Sequence, residues 1–351
     1  MKKEHELVLG HDLSTLQQLE DSGRTFSDDG RIQPVEQIVT QHGATYVRER
    51  LWVNPPLPYS DLPHVLTMAK RIKAAGLKFL LDFHYSDFWA DPGKQPTPQS
   101  WQDQDLSTLA GTVYTYTRDV IERFARQGTP ADMVQTGNEI TNGMLWPLGA
   151  ISGNGSERWV EFTTLLKAAI AAVRDGSQQD ASVMVHIDRG GDNAGSRRFY
   201  DSILEQGVDF DVIGLSYYPW WHGPLSALQA NLSDLAPRYN KDIVIVETAY
   251  PWKFTNGDSE RSFGGSYPVL LPGYPPSPEG QISFIRELLS LLGQLPDQLG
   301  RGLVYWESAW IPGAGLEQDT GDTWGDMALF DHEGRALSSI KCYEDTAFLG
   351  H

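Results

Sequence analysis

The chain has 351 residues, of which 40% are hydrophobic and 21% charged, and this balance excludes a chain that is disordered throughout. Lys and Arg number 28 and Asp and Glu 46, so the formal net charge is −18 at pH 7, which argues against a surface for nucleic acids or anionic membranes. The single cysteine, Cys342, excludes an intrachain disulfide and a thiolate metal cluster. The 11 Trp, 14 Tyr and 13 Phe are an unusual aromatic content, and they favour a carbohydrate binder over a nucleotide binder.

The sequence predicts no membrane-spanning segment, because no stretch approaches the roughly 20 apolar residues that a helix needs to cross a bilayer. The opening residues MKKEHELVLG contain an apolar run too short for the core of a signal peptide. We therefore expect a secreted or periplasmic protein if a leader has been removed, and a cytoplasmic protein otherwise.

Short runs rich in β-branched and aromatic residues predict eight buried parallel strands. In chain order these are Leu7–Leu13, Thr45–Val53, Leu77–Tyr85, Asp132–Ile140, Ser182–Asp188, Phe210–Tyr218, Asp242–Thr248 and Gly302–Trp310. The segments between them show helical spacing of apolar residues. Between the second and third strands, for example, Val65, Ala69 and Ile72 share one helix face, and Gly76 follows as a C-terminal cap.

This alternation predicts a single domain over residues 1–351, folded as a closed (β/α)8 TIM barrel. An open doubly wound sheet would need a glycine-rich nucleotide loop after the first strand, and none follows Leu13. Long insertions at 87–105, 143–157 and 252–279 each follow a predicted strand. In a barrel such loops lie over the carboxyl ends of the strands, where active sites form.

Two glutamates stand at the carboxyl ends of apolar strands on different sides of the predicted barrel. Glu139 ends the fourth strand and Glu247 the seventh. A lone acid there is usually a salt-bridged rim residue, but two acids across one barrel mouth indicate a catalytic pair. Cleavage of a glycosidic bond needs such a pair, one carboxyl group protonated and the other ionised.

The neighbours of the two glutamates fit this interpretation. Asn138 could hold a substrate hydroxyl beside Glu139, and Arg48 on the second strand could keep Glu247 ionised through a charge-assisted hydrogen bond. The alternative for Arg48 is a structural salt bridge with Glu49 or with an acid on a neighbouring strand.

Seven longer motifs lie along the chain: DLSTLQQLEDSG at 12–23, DFHYSDFWADP at 82–92, GNEI at 137–140, MLWP at 144–147, GLSYYP at 214–219, VETAY at 246–250 and YWESAW at 305–310. Together they resemble the family 53 glycoside hydrolases, the endo-β-1,4-galactanases of clan A. The motifs follow the order of the family and extend over nearly the whole chain.

This resemblance implies a (β/α)8 barrel that hydrolyses β-1,4-galactan, the side chain of pectin in type I arabinogalactan, by a retaining double displacement. Glu139 takes the position of the acid/base and Glu247 that of the nucleophile. Retaining chemistry separately predicts carboxyl groups ~5–5.5 Å apart, against ~6.5–9.5 Å for inversion.

Further candidates lie at other strand ends. The resemblance places His84 beside the catalytic pair, although a histidine packed in the core is the alternative. His186 and Asp188, at the end of the fifth strand, are expected to reach substrate hydroxyls, unless Asp188 only pairs with Arg189. Tyr217 and Tyr218 end the sixth strand. The resemblance implies that one of them bonds to the nucleophile, and alternation directs the other elsewhere; we favour Tyr218 as the one that bonds.

Aromatic side chains near strand ends are candidates for stacking on sugar rings. Trp306 is expected to form the floor of the site for the scissile galactose. Trp89, Trp146 and Trp310 are expected to bind substrate, and Trp220 and Trp221 share their position near strand ends, although several of these indoles could simply pack the loops. Asp87 either binds sugar hydroxyls or caps its local turn.

We expect no metal and no cofactor, because the nine histidines form neither an H-x-H nor an H-E-x-x-H motif. Some bacterial members of the family that this sequence resembles carry a calcium ion under the loops of the seventh and eighth strands. Here Asn256, Asp258 and Glu260 offer oxygen ligands, but their spacing is irregular and Arg261 follows, so the sequence does not support calcium.

The predicted partner is a polysaccharide, with neither nucleic acid nor membrane, and the protein is expected to be a monomer. Two alternatives to galactan hydrolysis remain at this point. One is a clan A β-1,4-glycanase that acts on mannan, xylan or glucan. The other is a catalytically silent carbohydrate-binding barrel, which the presence of both glutamates and Arg48 disfavours.

Overall fold

A computed structural model describes residues 7–153, 156–177, 180–253, 270–313 and 322–344 of the chain. Eight parallel strands close into a barrel, which confirms the predicted fold. They are β1 (Val8–Asp12), β2 (Tyr46–Leu51), β3 (Lys78–Phe83), β4 (Met133–Thr136), β5 (Ser182–Ile187), β6 (Val212–Ser216), β7 (Asp242–Thr248) and β8 (Gly300–Tyr305). Each strand pairs with its neighbours in chain order, and the pairing of β8 with β1 completes the ring.

Helices connect the strands on the outside of the barrel. They are α1 (Leu16–Asp21), α2 (Val35–Gln41), α3 (Leu62–Ala74), α4 (Leu106–Gln127), α5 (Trp159–Gly176), α6 (Asn193–Glu205), α7 (Pro219–His222), α8 (Leu225–Tyr239) and α9 (Pro278–Gly293). Aspartate side chains cap two of the longer ones. Asp61 accepts a hydrogen bond from the His64 amide at the start of α3, and Asp105 accepts one from the Thr108 amide at the start of α4.

Seven of the eight strands are shorter than the sequence predicts, and β7 alone has the predicted bounds. The bounds differ most at β4, β6 and β8. β4 ends at Thr136 rather than at Ile140, β6 spans 212–216 rather than 210–218, and β8 spans 300–305 rather than 302–310. At β4 and β8 the cause is a left-handed backbone just beyond the strand, at Glu139 (φ +48°) and Glu307 (φ +49°). The strand-end residues therefore lie on turns over the barrel mouth.

The barrel interior is filled by side chains. One buried cluster takes at least one residue from each of the eight strands: Val8, Tyr46, Leu80, Met133, Met184, Val212, Val244, Val246 and Val304. A larger apolar cluster joins the outer faces of the strands to the helices. Such a filled interior leaves the carboxyl end of the barrel as the place for a concave site.

The C-terminal part of the described chain packs against the barrel. The 3₁₀ segment Ser338–Tyr343 follows β8, and the Tyr343 hydroxyl donates a 2.7 Å hydrogen bond to the Gly10 carbonyl of β1. In the described ranges, no helix combines the length and the apolar character needed to span a bilayer.

Candidate active site

A cleft of ≈ 540 Å³ opens at the carboxyl ends of the strands. Glu139 and Glu247 both line it, together with Arg48 and Asn138. Its aromatic lining consists of Phe88, Trp89, Tyr218, Trp221, Trp306 and Trp324. Two carboxyl groups therefore share one aromatic cleft, as expected for a site that binds and cleaves a sugar chain.

A sharp turn after β4 carries Glu139 into this cleft. Gly137 has a φ of +98°, and a Cβ atom there would lie 2.7 Å from Cγ2 of Ile140, so the position suits only glycine. Glu139 itself is left-handed, and the 3₁₀ segment Ile140–Asn142 begins directly after it. The Gly-Asn-Glu motif thus encodes a turn as well as a carboxyl group.

Glu139 is held by a hydroxyl that a histidine orients. The Ser216 hydroxyl donates to Oε1 of Glu139 at 2.6 Å and lies 2.8 Å from Nε2 of His186. Nδ1 of His186 accepts from the Gln135 amide at 3.1 Å, so the neutral ring carries its proton on Nε2 and donates to Ser216. Burial and the charge of Arg48 hold the pKa of His186 well below its usual value, consistent with this neutral form.

The surroundings of Glu139 favour its protonated form. Burial raises the pKa of Glu139 well above its ordinary value, and the negative charges of Glu247 and Asp188 raise it further. The hydrogen bond from Ser216 opposes this only in part. A carboxyl group in this environment can donate a proton near neutral pH.

Glu247 is placed by an irregularity in the strand pairing. Ile245 pairs with Leu215 of β6, but the next partner, Ser216, pairs with Glu247, so Val246 is skipped. Val244 and Val246 both belong to the interior cluster, and strict alternation would turn Glu247 away from the barrel axis. The skipped residue resets the alternation and brings Glu247 to the cleft.

Arg48 and Tyr218 hold the Glu247 carboxylate. Nη2 of Arg48 lies 2.8 Å from Oε1 of Glu247, and the Tyr218 hydroxyl donates to Oε2 at 3.3 Å. Arg48 also bonds to Asp12 and Asp82, both at 2.8 Å, so it joins neighbouring strands as well as serving the site. Both interpretations of Arg48 therefore hold, except that its acidic partners do not include Glu49.

The positive charge of Arg48 makes the pKa values of the two glutamates differ. Burial raises the pKa of Glu247 to about 7, and the Arg48 guanidinium opposes this rise. No cation contacts Glu139 among the described residues, so Glu247 is the more acidic of the pair. The arrangement supplies one carboxyl group that holds a proton and one that releases it more readily.

Several predicted residues lie where the sequence expects them. His84 lines the cleft; its Nε2 is 3.1 Å from Asp82, and its Nδ1 accepts from the Trp52 indole at 3.3 Å. Asn138 lines the cleft with its Oδ1 bonded to Arg48 at 2.9 Å. Trp306 lies edge-on to Trp324, with ring centroids 4.5 Å apart.

Tyr217 does not support the nucleophile, which corrects its inclusion as a supporting residue. Its hydroxyl donates to the Gly223 carbonyl at 2.8 Å, and its ring packs against Phe284 on the outer side of the barrel. Because adjacent side chains along an extended chain point to opposite sides, only Tyr218 reaches Glu247.

Of the six residues predicted to bind substrate, one lines the cleft directly. This residue is Trp89, and Trp310 lies behind it with its ring nearly parallel. His186 is fully buried behind Glu139, and Asp188 accepts a hydrogen bond from the Thr141 hydroxyl. Both therefore act on the turn that carries Glu139.

Asp87 and Trp146 brace loops. Asp87 accepts hydrogen bonds from the amides of Asn54 and Gln99, at 3.1 and 2.8 Å, which fits the turn-capping alternative. The Trp146 indole donates to the Asn142 carbonyl at 3.2 Å, and its own amide donates to Gln95. The cleft lining includes neither residue.

Sequence reasoning missed three residues at the site. Arg50 lines the cleft and forms a buried ion pair with Glu307, and Trp324 packs against Trp306. Arg50 could have been predicted from the sequence, because it lies two residues after Arg48 and therefore on the same face of the strand. Trp324 lies far beyond the last strand, where no pattern marks it.

No group of three or more His, Cys, Asp or Glu side chains that could hold a metal ion occurs in the ranges that the structure covers. The segment with Asn256, Asp258 and Glu260, weighed as a calcium site, lies outside the described residues.

A family model described as "Glycosyl hydrolase family 53" matches residues 8–343, nearly the whole chain. The chain belongs to glycosyl hydrolase family 53. The chain is thus a glycosidase, as the sequence resemblance predicts.

Relatives of this family 53 glycosidase span nearly its full length. The chain is 44% identical over 344 residues to an uncharacterised protein in the bgaB 5′ region of Niallia circulans, and the alignment covers 96% of this chain and 93% of the relative. It is 36% identical over 343 residues to the arabinogalactan endo-β-1,4-galactanase of Thermothelomyces thermophilus, with coverage of 95% and 98%. The GH53 catalytic domain of Ignisphaera aggregans superposes with a TM-score of 0.89 at 35% identity, covering 97% of this chain and 96% of that one.

Proposed function

We propose that this family 53 glycosidase is an arabinogalactan endo-β-1,4-galactanase, which hydrolyses internal bonds of β-1,4-galactan with retention of configuration. The observation that carries the proposal is the pair of glutamates in one cleft, of which only Glu247 contacts a cation among the residues that the structure describes. The substrate is the one named for the fungal relative, whose chain is covered almost completely.

In the first step, Glu139 donates its proton to the glycosidic oxygen while Glu247 attacks the anomeric carbon. The bond to the leaving sugar breaks, and a covalent galactosyl ester forms on Glu247. The ester removes the negative charge of Glu247, which is one of the groups that raise the pKa of Glu139.

In the second step, Glu139 is therefore a stronger acid and is now ionised, so it acts as the base. It takes a proton from a water molecule, whose oxygen attacks the anomeric carbon and releases Glu247. The two inversions together retain the configuration. Arg48 bonds to one oxygen of the Glu247 carboxylate and Tyr218 to the other. Both residues therefore hold the group that forms the ester in the first step and is released in the second.

Variants of the two glutamates test these roles. We expect Glu139→Gln and Glu247→Ala each to lower kcat on galactan by several orders of magnitude, while near-ultraviolet circular dichroism stays native. The matched control is Glu205→Gln at the end of α6, on the outside of the barrel. Hydrolysis near the wild-type rate by either active-site variant would end the assignment.

The products of galactan digestion over time test endo action. Medium-length oligosaccharides that appear first are expected for endo cleavage, whereas a dimer or trimer from the outset would indicate release from chain ends. Parallel digests of β-1,4-mannan, xylan and glucan test the alternative substrates, and a catalytically silent barrel would leave all four polymers intact.

We also propose that the enzyme is a monomer that needs no metal and no cofactor. We further propose that it acts outside the cytoplasm, since its polymeric substrate does not cross membranes. The catalytic steps above use only side chains of this chain. Unchanged kcat after dialysis against a chelator, and a monomer mass by light scattering, are the expected results. Loss of activity that calcium restores would contradict the first expectation.

A further inference from the structure

A buried ion pair lies beside the catalytic cleft, apart from the hydrogen bonds that hold Glu139 and Glu247. Arg50, on the strand face that also carries Arg48, pairs with Glu307 in the turn after β8, and both side chains are at most 2% exposed. Oε1 of Glu307 accepts from the Thr15 hydroxyl at 2.5 Å, and Oε2 lies 3.3 Å from the Thr15 amide. Residues at the carboxyl ends of three strands, β1, β2 and β8, therefore form this cluster.

The guanidinium of Arg50 faces an indole that lines the cleft. Its Cζ atom lies 4.3 Å from the ring centroid of Trp89 and 5.0 Å from that of Trp52, within the range of a cation–π contact. Trp89 also packs nearly parallel to Trp310, with an interplanar angle of 5°, and 6.2 Å from Trp306.

These ring contacts decide the orientation of Trp89. Its Nε1 atom is buried and makes no hydrogen bond to the residues that the structure describes. A ring without a hydrogen bond is oriented by what lies against its faces and edges, here Arg50 together with the rings of Trp52, Trp306 and Trp310. Arg50 is itself oriented by Glu307, because a guanidinium presents its donors in a rigid fork.

We propose that Arg50 and Glu307 are positioning residues, which fix the Trp89 indole as a cleft wall that packs against a sugar ring next to the scissile galactose. The inference rests on the proposed hydrolysis of galactan. Arg50 makes no hydrogen bond to Glu139 or Glu247 among the described contacts, so its effect falls on substrate binding rather than on the bond-breaking steps.

The first test separates KM from kcat. Arg50→Lys keeps the positive charge but loses the planar fork, and we expect KM for galactan to rise roughly tenfold while kcat stays within about twofold of wild type. Glu307→Asp, which withdraws the carboxylate by one methylene, should raise KM in the same way and serves if Arg50→Lys does not fold. Arg71→Lys, in an ion pair with Glu20 and Glu36 away from the cleft, is the control and should leave KM unchanged.

The second test asks whether Arg50 acts through Trp89. If it does, the double variant Arg50→Lys/Trp89→Phe should have the same KM as Trp89→Phe alone, because the positioned ring is already gone. The near-ultraviolet circular dichroism spectrum should change in Arg50→Lys in the same direction as in Trp89→Phe.

Two results would overturn the inference. One is a KM effect of Arg50→Lys that adds in full to that of Trp89→Phe, and the other is a fall in kcat with KM unchanged, which would indicate that Arg50 acts on the bond-breaking steps instead of on binding. A wild-type enzyme that leaves galactan intact would instead end the proposed function. The two failures are therefore distinguishable.

Discussion

At the residue scale, Glu139 and Glu247 share one cleft but face different charges. Arg48 contacts Glu247, whereas the negative charge of Asp188 acts on Glu139 and raises its pKa. Asp188 also accepts from Thr141 in the turn that carries Glu139, so a residue predicted to bind substrate also contacts the turn of the acid. The difference between the two carboxyl groups comes from these neighbours and not from the residue type.

Removal of the Asp188 charge should therefore shift the pH profile. In Asp188→Asn the pKa of Glu139 falls, so the acid loses its proton at lower pH, and the alkaline limb of kcat/KM on galactan moves to lower pH. Asp201→Asn, in a surface ion pair on α6, is the control. An alkaline limb that stays in place or moves upward would contradict the assigned role.

Tyr218 and Tyr217 offer a matched pair of hydroxyl deletions. Tyr218→Phe removes the hydrogen bond to Oε2 of Glu247, and we expect kcat on galactan to fall roughly tenfold or more. Tyr217→Phe removes only the bond to the Gly223 carbonyl, so it should lower the melting temperature with a smaller effect on kcat. Equal effects of the two variants on kcat would contradict the geometry.

At the element scale, the ends of the strands determine the site. The apolar runs in the sequence locate all eight strands, because buried parallel strands are continuously hydrophobic. Their carboxyl ends were predicted too far along the chain at every strand except β7, and by the most residues at β4 and β8. The left-handed residues Glu139 and Glu307 that end two of these runs carry no hydrophobic signal.

The turn after β4 can be tested with two glycines. Gly137→Ala places a Cβ 2.7 Å from Ile140 at a positive φ, so we expect a loss of about 1–3 kcal/mol in the free energy of unfolding and a marked fall in kcat/KM. Gly128→Ala, at the C-terminus of α4, has a similar φ of +82° but open space around it.

Gly128→Ala should cost about 1 kcal/mol of unfolding free energy and leave kcat/KM unchanged. Urea denaturation and galactan kinetics on both variants make the comparison. If Gly137→Ala lost stability but kept full activity, the turn would not be what positions Glu139.

At the scale of the whole molecule, the net charge of −18 has a consequence for substrate choice. A neutral galactan meets no long-range attraction or repulsion, whereas the acidic backbone of pectin is repelled. We expect kcat/KM on galactan to change less than about twofold between low and physiological ionic strength. Measured rates over a salt series check this, and a steep dependence on salt would indicate charged steps in binding.

The sequence by itself determined the barrel and the catalytic pair. Hydrophobic periodicity predicts the alternation of strands and helices, the long motifs identify the two glutamates together with His84 and Trp306, and the second strand carries Arg48. These features depend on local composition and on short stretches of chain, so they can be read without knowledge of contacts.

Only the tertiary structure decided how the side chains are aimed and paired. The skipped residue beside Glu247 appears only when β6 and β7 are paired, and it alone turns that carboxylate into the cleft. Arg50 and Glu307 meet across 257 positions of the chain, because barrel closure brings their strands together. Such contacts arise from the packing of distant segments, which no local pattern encodes.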